Sequence, residues 1–191
     1  EKDILKIHGQ QFRNNALRVV QHLAYNCGGL VNIDMISSNL GINVRKVTET
    51  IDILELSFMI RRIRPFFRNM TTELRKANKI YFMDNGIRNV LQNDFIFSRE
   101  KGFLLENHVF SELIRKDGGL KYWRTTAKAE VDFIFNDSIP IEVKATPRIT
   151  KSLRSFISTY RPSRGLLVNY DICETQRIDD TDLMFLPASL L

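Results

Sequence analysis

The sequence is poor in the residues that bind metals through nitrogen or sulfur. It holds two cysteines and three histidines. Cys27 and Cys173 have no metal-ligand or redox spacing, and His8, His22 and His108 are isolated from one another. That argues against a zinc site, a C-x-x-C redox centre and a disulfide scaffold. Cys27 continues an apolar helical stripe, which predicts a reduced, buried thiol and a cytoplasmic protein. No apolar run is long enough to span a membrane, and there is no secretory signal. No Gly-x-x-x-x-Gly-Lys-[Ser/Thr] occurs, so ATP hydrolysis by this chain is not expected. Internal repeats and low-complexity segments are absent too. Glu1, in place of methionine, is what a piece of a longer protein would show.

What is present is globular: 43% hydrophobic and 26% charged over 191 residues, enough for one large or two small domains. The charge is unevenly spread. Arg61, Arg62, Arg64, Arg68, Arg75, Lys76 and Lys79 fall in one stretch against Glu73 alone, an excess equal to the whole chain's net +6. The rest of the chain is neutral overall. A basic segment of this kind suits a phosphate backbone, with Phe66 and Phe67 placed to pack on sugars or on the domain itself. The same arginines would equally suit an acidic face of a partner domain.

Residues 1–84 read as a winged helix. Ala16, Leu17, Val20, Leu23, Ala24 and Cys27 form a helical stripe ended by Gly28-Gly29. Asn32 is placed to cap a short helix carrying Ile33, Ile36 and Leu40, closed by Gly41. Asn43 caps a third helix with Val44, Val47, Ile51 and Leu54 inward. The short turn between these helices is a helix-turn-helix signal. A strand around Phe58 to Ile63 and a return strand around Lys79 to Met83 would flank a basic wing. Arg45 and Lys46 on the third helix are followed by Glu49, Asp52 and Glu55, which oppose DNA, so little base specificity is expected.

Residues 85–191 form a second unit. Gly86 to Leu91 begins a helical connection that breaks at Gln92-Asn93-Asp94. From Gly102 to Lys116 the helical apolar set is Phe103, Val109, Phe110, Leu113 and Ile114, and Glu106 lies inside that stripe, where a carboxylate needs a partner. Asn107, Ser111 and Arg115 fall outside it, and Glu112 is spaced to pair with Lys116. Strands follow at Leu120 to Arg124, Glu130 to Phe135 and Ile139 to Ala145. A helix from about Thr150 to Tyr160 stops at Pro162, with strands at Gly165 to Val168 and Met184 to Leu186. The connection after Lys144 should be a right-handed parallel crossover.

The central stretch runs from Glu130 to Lys144. With Asn136-Asp137-Ser138 as the turn, Phe135 pairs with Ile139, Phe133 with Ile141 and Val131 with Val143, giving one apolar face. On the other face Asp132 stands opposite Glu142, and Glu130 opposite Lys144. Facing carboxylates repel unless a cation joins them, either Lys144 or a divalent metal. A plain solvated polar face is the other reading of the same pattern.

The order Leu105-Glu106-Asn107, Tyr122-Trp123-Arg124, Glu130-Val131-Asp132-Phe133 and Pro140-Ile141-Glu142-Val143-Lys144 resembles the C-terminal domain of a prokaryotic family of AAA-type ATPases. That domain is called one of unknown function and is similar to the PD-(D/E)XK nuclease superfamily. Lys79-Ile80-Tyr81-Phe82-Met83-Asp84-Asn85-Gly86 is similar to the same family's strand before that part. The resemblance implies an α/β (α+β) fold: a winged helix, then a restriction-endonuclease-like core with a mixed central sheet flanked by helices. It implies catalytic roles for Glu106, Asp132, Glu142 and Lys144, with Asp132, Glu142 and Glu106 at Mg²⁺ or Mn²⁺. Val131 stands where many members have proline. The basic segment adds DNA as a partner, at Arg61, Arg62, Arg64, Arg68, Arg75 and Lys76, and the resemblance implies an ATP site only in an upstream AAA domain. The alternative is a non-catalytic module that binds DNA or protein and regulates the attached ATPase.

Overall fold

Asn32 and Gly41 bracket the second helix as their chemistry requires. In the computed structural model, the Asn32 side chain accepts from Met35 N–H, and Gly41 ends the helix in the left-handed region at φ +63°. The structure describes residues 2–67, 76–96, 102–116 and 118–191, with side chains from Arg13 onward. Helix α1 spans Lys2–Tyr25, α2 Ile33–Leu40 and α3 Val44–Leu56. The sequence places Leu17 and Val44 inward, but both are largely exposed. Val19, two positions after Leu17, is fully buried instead, so the apolar face of α1 is rotated from the one read in the sequence.

Strands β1 (Ile60–Pro65) and β2 (Lys79–Phe82) follow as an antiparallel pair, with Ile60 opposite Phe82 and Ile63 opposite Lys79. Ile60, Ile80 and Phe82 close a core with Val20, Leu23, Ile36, Val47 and Ile51 from the three helices. The first strand starts later than the sequence suggests. Phe58 lies before it, exposed and at φ +56°.

Helix α4 (Asn85–Gln92) ends on Asn93, also left-handed. Helix α5 (Gly102–Leu113) leads into β3 (Leu120–Arg124), β4 (Glu130–Phe135) and β5 (Ile139–Val143), an antiparallel meander. Asn136 and Asp137 both have positive φ and Ser138 N–H donates to Phe135 C=O, a turn that suits the strand twist. Helix α6 (Lys151–Tyr160) crosses to β6 (Arg164–Asn169), which is parallel to β5 as expected. Strand β8 (Thr181–Pro187) is parallel to β6 and carries an antiparallel edge strand, β7 (Glu174–Ile178). Strand β7 escapes sequence reading because nearly all of it is exposed and it has no apolar alternation.

The strands form one eight-stranded mixed sheet, in the order β2-β1-β3-β4-β5-β6-β8-β7. Its continuity rests on a short parallel pairing of β1 with β3, Arg64 opposite Lys121 and Pro65 opposite Tyr122. Residues 1–84 and 85–191 thus share a sheet. Helix α5 packs Leu105, Val109 and Phe110 on the face carrying Phe133, Ile141 and Val168. Helix α6 packs Leu153, Phe156 and Ile157 on the face carrying Ile134 and Leu167. Val131 joins this second cluster rather than that of Phe133. The cause lies opposite it: the β3–β4 register slips by one residue between Lys121 and Trp123. Such bulges re-aim side chains, and this one lies beside Asp132.

Candidate functional site

Strand β4 meets β5 in the register read from the sequence, Phe133 opposite Ile141 and Phe135 opposite Ile139. The pairing ends there, at the register slip in β4, and Asp132 and Glu142 meet through Lys144 rather than as a cross-strand pair. Lys144 joins them, with Nζ 3.0 Å from Glu142 Oε1 and 3.3 Å from Asp132 Oδ2. The Val143 N–H also donates to Asp132 Oδ2, at 2.8 Å. Glu142 is 1% exposed, and its Oε2 is buried with no hydrogen-bond partner. Burial, reinforced by the Asp132 carboxylate, pushes the Glu142 carboxyl up to about 7, against the pull of Lys144 and Thr150. Burial acts to lower the Lys144 pKa, but Asp132 and Glu142 outweigh it and hold the ammonium up to about 12.

Glu106 reaches the same cluster from α5. Its Oε1 accepts from Tyr81 O–H at 2.6 Å and stands 3.4 Å from Lys79 Nζ. Burial, and then Asp132, raise its pKa, while Lys79 and Tyr81 hold it down. The chain packs closely here: a Cβ on Gly28, at φ +78°, would approach within 3.2 Å of Glu106 Oε1. Lys79 also reaches Glu130 Oε1 at 2.6 Å, and Glu130 Oε2 accepts from Arg124 at 2.9 Å. An alternating line of charge therefore runs from Arg124 through Glu130 and Lys79 to Glu106.

Three expectations are corrected. Glu130 pairs with Lys79 and Arg124, not Lys144, because Lys144 turns to the two acids nearer it. Asn107 and Ser111 are buried, not outside the packed face. Asn107 grips the Phe82 peptide and accepts from the Cys27 thiol, whose pKa burial pushes up to about 12. Glu112 pairs with Arg115, while Lys116 donates to the Leu191 carbonyl.

Lys79 and Tyr81 are the site residues that sequence reading overlooked. Its sequence neighbours group Lys79 with the basic wing, yet it is 2% exposed. The strand pattern held the signal. Lys79 and Tyr81 alternate with Ile80 and Phe82, so they share the face opposite the N-terminal core.

The basic residues are distributed differently. Arg62 is held by Asp52 at 2.8 Å and by Glu55 on α3, and Glu55 also lies 4.0 Å from Arg61. Arg64 and Lys76 are exposed. Arg68 and Arg75 lie outside the described residues. Phe66 packs inward, its ring 5.4 Å from Tyr160.

Asp132, Glu142 and Lys144 are therefore joined by ion contacts, and Glu106 stands beside them, near enough for the Asp132 charge to raise its pKa, while its own contacts go to Tyr81 and Lys79. Among the described residues, however, no three His, Cys, Asp or Glu side chains form a metal-holding group. The donor set nearest to one is the Asp132–Glu142 pair, all oxygen. The unpartnered Glu142 Oε2 is where a hard cation would find a free ligand, with water or substrate oxygens filling its other positions. A pair of carboxylates is oxygen chemistry of the kind that hard cations such as Mg²⁺ and Mn²⁺ select, with two protein side chains to hold one.

Residues 101–190 match the model of a domain of unknown function, DUF4143. Residues 1–95 match a second domain of unknown function, DUF8612. Two curated relatives are the uncharacterized proteins Mb2031c of Mycobacterium bovis and Rv2008c of Mycobacterium tuberculosis. Each is 26% identical over 161 residues, covering 76% of this chain and 36% of the relative. The chain thus spans about a third of the length of the curated relatives it matches. No solved structure matches. Among the described residues no helix is long and apolar enough to cross a membrane.

Proposed function

We propose that the chain is the C-terminal part of an AAA-type ATPase and that its acidic cluster is a metal-dependent phosphodiesterase site acting on DNA. The observation that carries this reading is Glu142 Oε2, a carboxylate oxygen buried without a partner beside a second carboxylate. Native proteins rarely leave such an atom unsatisfied, and function is one of the usual reasons when they do. Asp132 and Glu142 would hold Mg²⁺ or Mn²⁺. When bound, the ion supplies charge to the scissile phosphate and acidity to a water molecule.

The chain's own residues supply the rest. Lys144 is about a third exposed, so its ammonium can turn from the carboxylates toward a phosphate oxygen and offset the charge that develops there. Glu106, held by Tyr81 and Lys79, would accept a proton from water. We read the three N-terminal helices and the β1–β2 pair as a winged helix that binds the DNA backbone. Exposed Arg61, Arg64 and Lys76 would make these contacts, whereas Arg62 is taken by Asp52 and Glu55.

One observation favours a second reading, a non-catalytic module that regulates the attached ATPase. Lys79, Lys144 and Arg124 already neutralise most of the cluster, and no trio of acids encloses a metal. Calorimetric titration with Mg²⁺ separates the two. The phosphodiesterase reading expects binding that is lost in Glu142→Gln. Absence of binding in the parent chain favours the regulatory module.

A further inference from the structure

We propose that the cleft between the ends of β1 and β3 and helix α6 holds an unpaired nucleotide of DNA, with its base against aromatic walls and its phosphates on basic side chains. The inference rests on the reading of the chain as a DNA-binding protein. It names the form of DNA that the chain engages, a single-stranded or locally opened segment.

The cleft holds about 500 Å³ and is lined by Phe67, Tyr122, Trp123 and Tyr160, with Lys76 and Arg124 beside them. Among the described residues no acidic side chain lines it. Phe66 packs inward, whereas Phe67 and Tyr160 are half-buried and keep part of their surface open. Tyr122 and Trp123 are nearly buried and fixed in place. The Trp123 indole N–H donates to the Tyr160 hydroxyl at 3.3 Å, and the Tyr122 hydroxyl donates to Ala77 C=O at 2.5 Å. With those polar atoms engaged, Trp123 and Tyr122 offer a ligand apolar ring surface rather than hydrogen bonds.

Lys76 is exposed. Arg124 gives Nη1 to Glu130 at 2.9 Å and keeps the other N–H groups of its fork. Aromatic surface bounded by cations, with no acid, is the composition that takes single strands: bases pack on the rings, and the backbone follows the charge with little regard to sequence. The volume falls within the range of small-ligand sites, about 300–1,000 Å³, which suits a nucleotide and not a duplex. Bases inside a duplex are stacked on one another and reach such a cleft only by opening or flipping.

Strand β3 links the cleft to the acidic residues. Lys121 pairs with Ile134 and Trp123 with Val131, so Tyr122 alone spans the two bulged residues, Asp132 and Phe133. Arg124 binds the same Glu130 carboxylate as Lys79, and the Tyr122 ring centroid lies 5.6 Å from Lys79 Nζ. A base in the cleft would bring its own backbone alongside the acids proposed to act on it.

The test is titration of the whole chain, reading anisotropy of labelled DNA and the fluorescence of Trp123, the only tryptophan of the sequence. EDTA in the buffer keeps the result independent of any metal. The probes are a thymidine strand of about 12 nucleotides, the same strand made abasic, and a blunt duplex. Quenching of Trp123 by the base-bearing strand, with affinity at least about fivefold above the abasic strand, supports the proposal, since that is the scale of one stacked base. Phe67→Ala and Thr159→Glu should each remove the preference; Thr159 is an exposed position of α6 that lines the cleft. A preference that survives in either folded variant overturns the proposal. So does equal affinity for base-bearing and abasic strands beside firm duplex binding, and that result leaves the DNA reading intact. Binding of none of the three probes removes both.

Discussion

Asn107 holds the Phe82 peptide from both sides: its Oδ1 accepts from Phe82 N–H at 2.8 Å, and its Nδ2 donates to Phe82 C=O at 3.0 Å. Helix α5 is thereby fixed to β2, and Glu106 is brought beside Lys79 and Tyr81. Replacing Asn107 with leucine keeps the volume but leaves two buried backbone groups without partners. The expected loss is roughly 2–6 kcal/mol, from about 1–3 for each group left unpaired. Urea unfolding measures it, and a loss within the error of the parent would refute the clamp.

Glu142 gives stability an unusual pH dependence. Its carboxyl is raised to about 7 in the folded chain from 4.5. Between those values the folded state binds more protons than the unfolded one, so this group's contribution falls as pH rises from about 4.5 to 7. Glu142→Gln removes that contribution. Relative to the parent, the variant should gain stability progressively across this window, by an amount on the order of a few kcal/mol at its top. Urea midpoints at pH 5 and pH 7.5 for both proteins test this. Parallel pH profiles would mean that Glu142 titrates normally.

Phe58 is 75% exposed and adopts φ +56° just before β1. A left-handed conformation costs a bulky residue roughly 1–2 kcal/mol, and asparagine tolerates it better. Phe58→Asn should raise stability by about 0.5–1 kcal/mol. A fall in thermal midpoint would show that the Phe58 ring contributes packing that its exposure hides.

The arginines of β1 separate by partner. Arg61→Ala and Arg64→Ala should weaken binding to DNA of any sequence, each lowering the salt slope by about one. Arg62→Ala should mainly destabilise the fold, because it strips Asp52 and Glu55 of their cation. Fluorescence anisotropy at several salt concentrations, beside urea unfolding, distinguishes these effects. Equal losses of affinity for all three would undo the assignment.

Much of the candidate site was legible in the sequence because a hairpin's register follows from its turn and its apolar alternation. Asn136-Asp137-Ser138 sets Phe135 against Ile139 and Phe133 against Ile141 with no tertiary information, which carries Asp132 toward Glu142. Glu106 stood out as a carboxylate inside an apolar stripe. The parallel crossover after Lys144 followed from the strand and helix order. The partners of these acids were not legible, because they depend on contacts between distant segments. Lys79 looked like one more base in a basic run, and nothing local marks the β1–β3 pairing that carries it into the site. The register slip beside Asp132 and the exposed strand β7 carry no periodic signal. Asn107 reads as surface in the sequence because a buried asparagine is betrayed only by the peptide it binds.

The most direct test of the account is nicking of supercoiled DNA in Mg²⁺, for the parent chain, Glu142→Gln and Lys144→Met. The account predicts nicking that chelation abolishes and that each variant lowers by about 10²–10³-fold, the scale for loss of one transition-state charge contact. Nicking that persists unchanged in Glu142→Gln, or no nicking by a parent chain that binds both Mg²⁺ and DNA, would contradict it.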